Sequence, residues 1–220
     1  MPVQIAAGQA HETVHLIDWE HPEKNDFALA EEVTLKGGYQ RRTDIVLYLN
    51  GLAIVVLELK RSSVELADGV RQLITNQEEI FNKAFFSTVQ LVLAGSDSQG
   101  LRYGTTGTPE QFFVEWKDEA PGVTGGAPAS GALLDRPLAQ LCGKARLLDL
   151  IRNCVLFDAG HKKVPRPHQY FGLEAAQERM ARREGGVIWH TQGSGKSILM
   201  VLLAKWLLEH DPEARTRCST

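Results

Sequence analysis

The sequence is poor in cysteine, and it has no apolar run long enough to cross a bilayer. It contains three cysteines, Cys142, Cys154 and Cys218, whose spacing is not that of a metal site. Few unpatterned cysteines are typical of proteins from a reducing compartment. A membrane helix needs about 20 consecutive apolar residues, and no secretory signal opens the chain. These absences predict a cytoplasmic protein without a membrane partner.

A strong charge of one sign is also absent, and so is any internal repeat. The formal net charge is −3 over 220 residues. A charge this small gives no general attraction to nucleic acid, so any contact with DNA has to be local. The length allows one large domain, or one domain and part of another.

The most informative stretch that is present runs from Thr43 to Lys60. Two apolar, β-branched runs, Ile45–Leu49 and Ala53–Leu57, flank the dipeptide Asn50-Gly51. Asn-Gly between such runs is a strong hairpin signal, because both residues tolerate positive φ. Nearly continuous hydrophobicity indicates strands that are covered on both faces. We therefore expect a buried hairpin.

Three charged residues interrupt this apolar background: Asp44, Glu58 and Lys60. Charges on buried strands are costly unless they are paired or bind a metal. Glu58 and Lys60 are two residues apart and share one face of the strand. With Asp44 they could hold a divalent cation and an ammonium group beside a phosphate, as in the PD-(D/E)xK nuclease core that this pattern resembles. Thr43 replaces the proline of that motif. The simpler alternatives are a buried Glu58–Lys60 ion pair, or strand ends that reach water.

This nuclease interpretation makes a demand on the geometry of the hairpin. In a regular two-residue turn Asp44 faces Leu57, and Asp44 and Glu58 point to opposite sides of the sheet. A three- or five-residue loop, or a single β-bulge, moves Asp44 opposite Glu58, with Cβ atoms about 5 Å apart. We therefore predict such an irregularity, with Lys60 on the same face. Without a metal, repulsion between the two carboxylates raises the pKa of at least one of them.

Further elements are predicted from apolar spacing along the rest of the chain. His15–Trp19 is a short strand or a helix remnant. Helices are expected at Val64–Phe86 and Leu133–Phe157, with another that starts near His168. Strands are expected at Thr88–Ala94, Leu101–Thr105 and Phe112–Trp116. Residues 121–132 are rich in Gly and Pro, which predicts a linker or mobile loop between residues 1–120 and 133–220.

A second candidate site lies near the end of the sequence. Gly186–His190 is a predicted strand, and a glycine-rich loop and an apolar helix follow it, which is the context of a P-loop. The residues with phosphate- or Mg²⁺-binding potential are Gly193, Ser194, Gly195, Lys196 and Ser197. Gln169 is a candidate contact to adenine. His190 stands where the usual pattern has glycine. The alternative is a glycine-rich turn with an incidental lysine.

Four strings taken together resemble the restriction (R) subunit of Type I restriction–modification enzymes. They are RRTDIVLYLNGLAIVVLELK, LLDLIRNCVLFD, RPHQYFG and VIWHTQGSGKS. The resemblance extends from about residue 15 to about residue 210. It implies an α/β restriction-endonuclease-like mixed sheet flanked by helices, followed by the start of a RecA-like motor domain.

The resemblance also implies an activity and its partners. Such enzymes cut double-stranded DNA after ATP-driven translocation, and they act with specificity and methyltransferase subunits. The implied cofactors are Mg²⁺ and ATP. The implied nuclease residues are Asp44, Glu58 and Lys60, with the Leu59 carbonyl as a further metal ligand. Gln72 fits the start of the family's Gln-x-x-x-Tyr motif, in which Asn76 here replaces tyrosine.

The sequence stops at Thr220, soon after Lys196. It lacks the acidic motor motif, the second motor lobe and an arginine finger, which phosphoryl transfer needs together. We expect no ATP hydrolysis from this chain alone. Two other functions remain open: a helicase or ATPase whose nuclease-like domain does not cut, and a DNA-clamping or subunit-docking module. The presence of Asp44, Glu58 and Lys60 disfavours both.

Overall fold

The structure, a computed structural model, describes residues 2–3, 12–117 and 133–210. The predicted linker at 121–132 lies outside these residues. Within them the chain forms ten strands and five α-helices. In chain order these are β1 (Pro2–Val3), β2 (Glu12–Thr13), β3 (Phe27–Leu35), β4 (Arg41–Leu49), β5 (Leu52–Lys60), α1 (Leu66–Asn76), β6 (Leu91–Ser96), β7 (Gly100–Gly104), β8 (Val114–Glu115), α2 (Asp135–Cys142), α3 (Lys144–Asp149), β9 (Leu156–Asp158), β10 (His161–Lys163), α4 (Pro167–Ala181) and α5 (Lys196–His210).

Six of the strands form one mixed sheet in the order β3-β4-β5-β6-β7-β8. Neighbouring strands are antiparallel except β5 and β6, which are parallel and are connected through α1. A parallel pair needs a crossover connection, and α1 supplies it. The predicted α/β mixed sheet flanked by helices is confirmed. Strands β1 and β2 pair with each other, as do β9 and β10.

The sheet has a hydrophobic core on each face. On one face α1 packs through Leu66, Val70 and Leu73 against strand residues that include Val56 and Val92. The other face is covered by helical residues from 133–210. The larger side chains of that second core include Leu57, Leu93, Leu141, Leu147, Leu150, Tyr170, Leu173 and Leu202. The boundary predicted at residue 120 stays a prediction, and the described parts on either side of it share this core.

Aromatic contacts attach the helical layer to the sheet. The Tyr103 hydroxyl on β7 donates a 2.8 Å hydrogen bond to the Pro165 carbonyl, just before α4. The Trp116 ring lies 5.7 Å from the ring of Tyr103 and 5.7 Å from that of Tyr170. Aromatic pairs at this spacing add attraction beyond their buried area. The start of α4 is thereby fixed relative to the sheet.

The predicted hairpin is present, and its turn organises the chain before it. Asn50 and Gly51 have φ values of 49° and 80°, as a two-residue turn with positive φ at both positions requires. The Asn50 side chain donates to the Leu16 carbonyl at 2.9 Å and to Asn25 Oδ1 at 2.8 Å. These bonds hold His15–Trp19 as an irregular segment. The prediction of a strand or a helix remnant there is wrong.

Strand β3 was not predicted, although it is nine residues long. It lies at the edge of the sheet, and both Glu31 and Glu32 are exposed. An edge strand tolerates exposed charge, so its sequence lacks the continuous apolar run of a central strand. Glu32 also has a φ of 52°, which interrupts the regular alternation of faces.

Helix α1 is shorter than the predicted Val64–Phe86, because the chain leaves the helix after Asn76. A series of turns then brings the Ile80 and Phe81 carbonyls against the β3–β4 connection. A Cβ at Gly37 would lie 1.8 Å from the Phe81 oxygen, and one at Gly38 would lie 2.2 Å from the Ile80 oxygen. This close backbone approach ends the helix early and requires both glycines.

Two further predictions also need correction. Leu133–Phe157 is not one helix: Gly143, with ψ 131°, separates α2 from α3, and a π-helical turn at Leu150–Cys154 precedes β9. Gly186–His190 is not a strand, because no described strand pairs with it and the Val187 and Trp189 side chains are 88% exposed. A motor-type strand needs neighbours on both sides. The outer strand predicted at 112–116 shortens to β8.

The helix predicted near His168 is confirmed as α4, and the strands predicted at 88–94 and 101–105 correspond to β6 and β7. Over the described residues, no helix is both long and apolar enough to span a membrane.

Candidate active site

The hairpin of β4 and β5 carries the first candidate site, and its register is irregular as predicted. Near the turn Leu49 faces Leu52, whereas further along the strands Ile45 faces Leu57, with a shift between Leu47 and Tyr48. The two-residue turn is thus combined with one β-bulge. Continued by one residue, the shifted register puts Asp44 opposite Glu58, as the nuclease interpretation requires.

The extra residue of the bulge is Ile54. Ala53 belongs to the core on the α1 face, Ile54 and Val55 both belong to the opposite core, and Val56 returns to the α1 face. One residue is thus inserted into the alternation of the strand, as a bulge does. From Val56 onward even-numbered residues face α1, so Glu58 points toward that helix.

Helix α1 brings Gln72 over the end of β5, where it connects the two charged residues there. The Lys60 ammonium donates to Gln72 Oε1 at 2.5 Å, and Gln72 Nε2 donates to Glu58 Oε2 at 2.9 Å. The amide therefore accepts from the cation with one end and donates to the carboxyl with the other. The simple Glu58–Lys60 ion pair is replaced by a bridge through Gln72. Gln72 thus lies beside both Glu58 and Lys60. Asn76, which stands where the family motif has tyrosine, is buried.

Asp44 and the Leu59 backbone complete this cluster. Asp44 Oδ2 accepts a 2.7 Å hydrogen bond from the Leu59 N–H. The N–H and C=O of one strand residue point to the same edge, so the Leu59 carbonyl is also on the β4 side. Asp44 and Glu58 interact electrostatically. The carboxyl groups of Asp44 and Glu58 and the Leu59 carbonyl therefore lie at the same end of the β4–β5 pair.

Glu58 is the group whose state is most altered by this environment. Its side chain is fully buried, at 0% exposure, and Oε1 has no hydrogen-bond partner among the described residues. Burial raises the pKa of the Glu58 carboxyl to about 8, with a further increase from the Asp44 charge against an opposing effect of Lys60. One of the two carboxyl pKa values is raised, as predicted, but burial is the larger cause and the predicted repulsion by Asp44 the smaller one.

A divalent cation fits this donor set. The Glu58 Oε1 atom is buried without a partner, and a hard cation such as Mg²⁺ prefers carboxylate and carbonyl oxygens. No group of three or more His, Cys, Asp or Glu side chains suited to a metal occurs in the described ranges. The donors that could hold a metal here are two carboxyl groups, Asp44 and Glu58, and the Leu59 carbonyl.

Two residues beyond the predicted ones also position this cluster. Gly69 on α1 makes room for Lys60, because a Cβ there would lie 3.2 Å from the lysine Cγ and 3.3 Å from its Cε. Gln99, after β6, accepts from the Leu66 N–H at 3.1 Å and so caps the start of α1. A glycine at an apolar position of a predicted helix was the available signal for Gly69.

The second candidate site is a glycine-rich loop before α5. Gly193 and Gly195 have φ values of 77° and 79°, a conformation that favours glycine. The Lys196 ammonium donates to the carbonyls of His190 at 3.0 Å and Thr191 at 3.2 Å, within its own loop. Ser197 is exposed in the first turn of α5. The predicted glycine-rich loop and the helix after it are both present, while the strand predicted before them at 186–190 is not formed.

Gln169 lies against this loop. Gln169 Nε2 donates to the Ser194 carbonyl at 2.9 Å and to the Gly195 carbonyl at 3.2 Å, and its Oε1 accepts from the Arg166 N–H at 2.8 Å. A Cβ at Gly195 would lie 2.3 Å from Gln169 Nε2. The amide thus joins the loop backbone, through Nε2, to the start of α4, through Oε1. Its predicted contact with adenine stays a prediction.

Comparison with known proteins relates both sites to restriction enzymes. Residues 2–112 match the family described as Type I restriction enzyme R protein N terminus, and residues 168–217 match the SWI2/SNF2 ATPase family. The chain is 33% identical to the Type I restriction enzyme HindI endonuclease subunit of Haemophilus influenzae, over 91% of this chain and 20% of that protein.

Two further relatives come from other organisms. The putative Type I restriction enzyme MjaVIIIP endonuclease subunit of Methanocaldococcus jannaschii is 29% identical, over 90% of this chain and 20% of that protein. The Type I restriction enzyme SsaAORF53P endonuclease subunit of Staphylococcus saprophyticus is 23% identical, over 89% of this chain and 21% of that protein. The chain spans about a fifth of the length of these curated relatives. With its first half matched by the N-terminal family and its mixed sheet in place, the chain belongs to the R proteins of Type I restriction enzymes.

Proposed function

We propose that this chain supplies the nuclease site of a Type I restriction enzyme, which hydrolyses a phosphodiester bond of double-stranded DNA with Mg²⁺. The observation that carries the proposal is the bridge through Gln72, which joins Lys60 to Glu58 at 2.5 and 2.9 Å. If Glu58 and Lys60 were strand-end charges that reach water, they would need no such buried partner. The bridge fixes an ammonium and a carboxyl group together on the face of the sheet that α1 covers.

Asp44, Glu58 and the Leu59 carbonyl would hold the metal. When bound, Mg²⁺ supplies Lewis-acid polarisation of a phosphate and a lower pKa for coordinated water. The chain itself holds the metal-binding oxygen atoms in position. Asp44 is held by the Leu59 N–H, and Glu58 is aligned by Gln72. Glu58 must lose its proton to act as a ligand, which its raised pKa makes dependent on pH.

Lys60 serves the reacting phosphate. Its ammonium is held by Gln72 Oε1, so only part of its donor capacity is used. A fixed positive charge beside the scissile phosphate stabilises the negative charge that develops in the transition state. Lys60 also orients the attacking water. Gln72 touches Lys60 and Glu58 rather than the reacting atoms, and it acts as a positioning residue.

The C-terminal part belongs, in this proposal, to an ATP-driven DNA translocase. Gly193, Ser194 and Gly195 would surround the phosphates with backbone N–H groups, Lys196 would neutralise them and Ser197 would hold Mg²⁺. Similarity of residues 168–217 to SWI2/SNF2 ATPases supports this role. Specificity and methyltransferase subunits would be the partners of the complete enzyme, and cleavage would follow translocation.

The test compares Lys60→Ala with Lys83→Ala in the complete enzyme, assayed with plasmid DNA, ATP and Mg²⁺. Lys83 is an exposed lysine that forms an ion pair with the exposed Glu79 at 3.6 Å. We expect Lys60→Ala to abolish cleavage while ATP hydrolysis continues, because the two sites are separate. Lys83→Ala should cut like the wild type. Cleavage by Lys60→Ala at the wild-type rate would mean that the cluster is not a nuclease site.

A further inference from the structure

The β3–β4 connection places positive charge at the end of the sheet that carries the candidate active site. We call residues 36–42, which read KGGYQRR, the basic loop. Strand β4 starts at Arg41, and Asp44 follows three residues later. At about 3.3 Å per residue, Arg41 lies about 10 Å from Asp44 along the strand. Arg61 comes directly after Lys60, at the same end of the sheet.

The basic loop is fixed in place by its glycines. The Gly38 N–H donates to the Phe81 carbonyl at 2.8 Å. Any side chain at Gly37 or Gly38 would collide with the backbone of residues 80–81, as the Cβ distances of 1.8 and 2.2 Å indicate. The loop is therefore seated on the turn after α1, the helix that carries Gln72. This support fixes the position of the loop relative to the candidate active site.

The side chains of the basic loop are presented to solvent from this support. Tyr39 is 65% exposed, and its ring lies 5.8 Å from that of Phe81. The Arg41 guanidinium carbon lies 4.3 Å from the centre of the same Phe81 ring. A guanidinium on an aromatic face keeps its N–H groups available at the edge for another partner. Arg42 pairs at 3.4 Å with Glu32, and both side chains are largely exposed, so solvent screens this pair.

The charge of the basic loop contrasts with that of the chain. The loop has three cations and no acid, while the chain as a whole carries a formal charge of −3. The sequence requires any DNA contact to be local, and this loop supplies a local one. Arginine binds phosphate through two parallel N–H bonds, and a tyrosine hydroxyl is a common phosphate donor.

We propose that the basic loop binds the DNA backbone beside the scissile phosphate, through Arg41, Arg42 and Tyr39. The separation of about 10 Å from Asp44 corresponds to about three nucleotides at 3.4 Å per step of one strand. Contacts of this kind carry no sequence information, which suits a nuclease site whose recognition is done elsewhere. The inference deepens the proposed function and rests on it.

The test measures binding of this chain to a fluorescent DNA duplex of mixed sequence, with Ca²⁺ in place of Mg²⁺ and salt from roughly 50 to 200 mM. The double variant Arg41→Ala/Arg42→Ala should bind about 10- to 100-fold more weakly at the low-salt end. The slope of log affinity against log salt should fall by about 1.8, since each lost phosphate contact removes about 0.9.

The matched control is Lys24→Ala/Lys144→Ala, which removes the same charge at the other end of the sheet. Lys144 lies 5.0 Å from the Phe27 ring, so it repeats the cation–ring contact of Arg41. Phe27 faces Leu49, next to the turn of the hairpin. This control should keep the wild-type affinity and slope. Arg41→Lys/Arg42→Lys, which keeps both charges, should keep most of the slope.

Folding and the proposed function are tested separately. Arg42→Ala alone removes a mostly exposed side chain, so its slope should fall by about 0.9 even if the double variant unfolds. Wild-type affinity and slope in Arg42→Ala and the double variant would overturn the inference, and would leave the basic loop as a surface for another subunit. If Lys60→Ala still abolishes cleavage in that case, the proposed function stands and only the loop assignment fails.

Discussion

Replacing Glu58 with glutamine should make the chain more stable at neutral and alkaline pH in the absence of metal. Glu58 is fully buried, and burial with the Asp44 charge raises the pKa of its carboxyl from 4.5 to about 8. The fold therefore favours the protonated, neutral form. Glutamine has nearly the same shape and stays neutral at every pH, so Glu58→Gln removes the cost of burying the charge.

The sign and size of the effect follow from the two pKa values. An acid whose pKa is raised in the folded state contributes stability at low pH, and loses that contribution as pH rises from about 4.5 through about 8. Each pH unit in this window corresponds to about 1.36 kcal/mol of unfolding free energy. Wild type should therefore lose up to roughly 5 kcal/mol that Glu58→Gln keeps, with most of the loss complete by about pH 8.

The assay is urea unfolding from about pH 5 to about pH 9 in EDTA, with the unfolding free energies of the two proteins compared at each pH. Glu79→Gln, which alters an exposed glutamate, is the control and should follow the wild type. Mg²⁺ should restore stability to the wild type at high pH, because a ligand of the folded state stabilises it by mass action, and should do so much less in Glu58→Gln. Parallel pH profiles of wild type and Glu58→Gln would refute the raised pKa and the argument built on it.

Two further predictions concern the groups around the sites. Gln72→Ala should reduce DNA cleavage by the complete enzyme about 10- to 100-fold, as is usual for residues that orient a metal ligand. Thr75→Ala on the same helix should leave cleavage unchanged. Equal cleavage rates for Gln72→Ala and wild type would mean that the bridge has no role. Lys196→Ala should remove ATP hydrolysis from the complete enzyme, together with the cleavage that depends on translocation.

The hairpin could be predicted in detail because two independent constraints act on it. Asn50-Gly51 specifies a two-residue turn, while the chemistry requires Asp44 and Glu58 on one face. A bulge is the way to satisfy both, and the register shift between Leu47 and Tyr48 is that bulge. The position of Ile54 within it could not be predicted, because apolar residues on both faces hide the point where alternation breaks.

Other elements depend on contacts between distant parts of the chain, which local patterns do not record. Strand β3 exists because the edge of the hairpin pairs with it, although Glu31 and Glu32 weaken its apolar pattern. Helix α1 ends at Asn76, and the turns after it bring the backbone of residues 80–81 against Gly37 and Gly38. The predicted strand at 186–190 has the right composition but no neighbouring strand in the described structure. Propensity indicates what a segment can form, and pairing decides whether it forms.

The bulge joins the stability of the fold to the chemistry of the site. Ile54 contributes its side chain to the core opposite α1, so the bulge adds apolar contact while it shifts the strand by one residue. If the same residues formed a regular strand without the bulge, the alternation set near the turn would send Val56 and Glu58 away from α1 and toward the helical layer, where Gln72 could not reach them. Glu58 would then lie in the apolar core opposite α1, the one that contains Leu57 in the actual structure. The bulge that brings the two carboxyl groups to one face is therefore also stabilised by the hydrophobic core, through the Ile54 side chain.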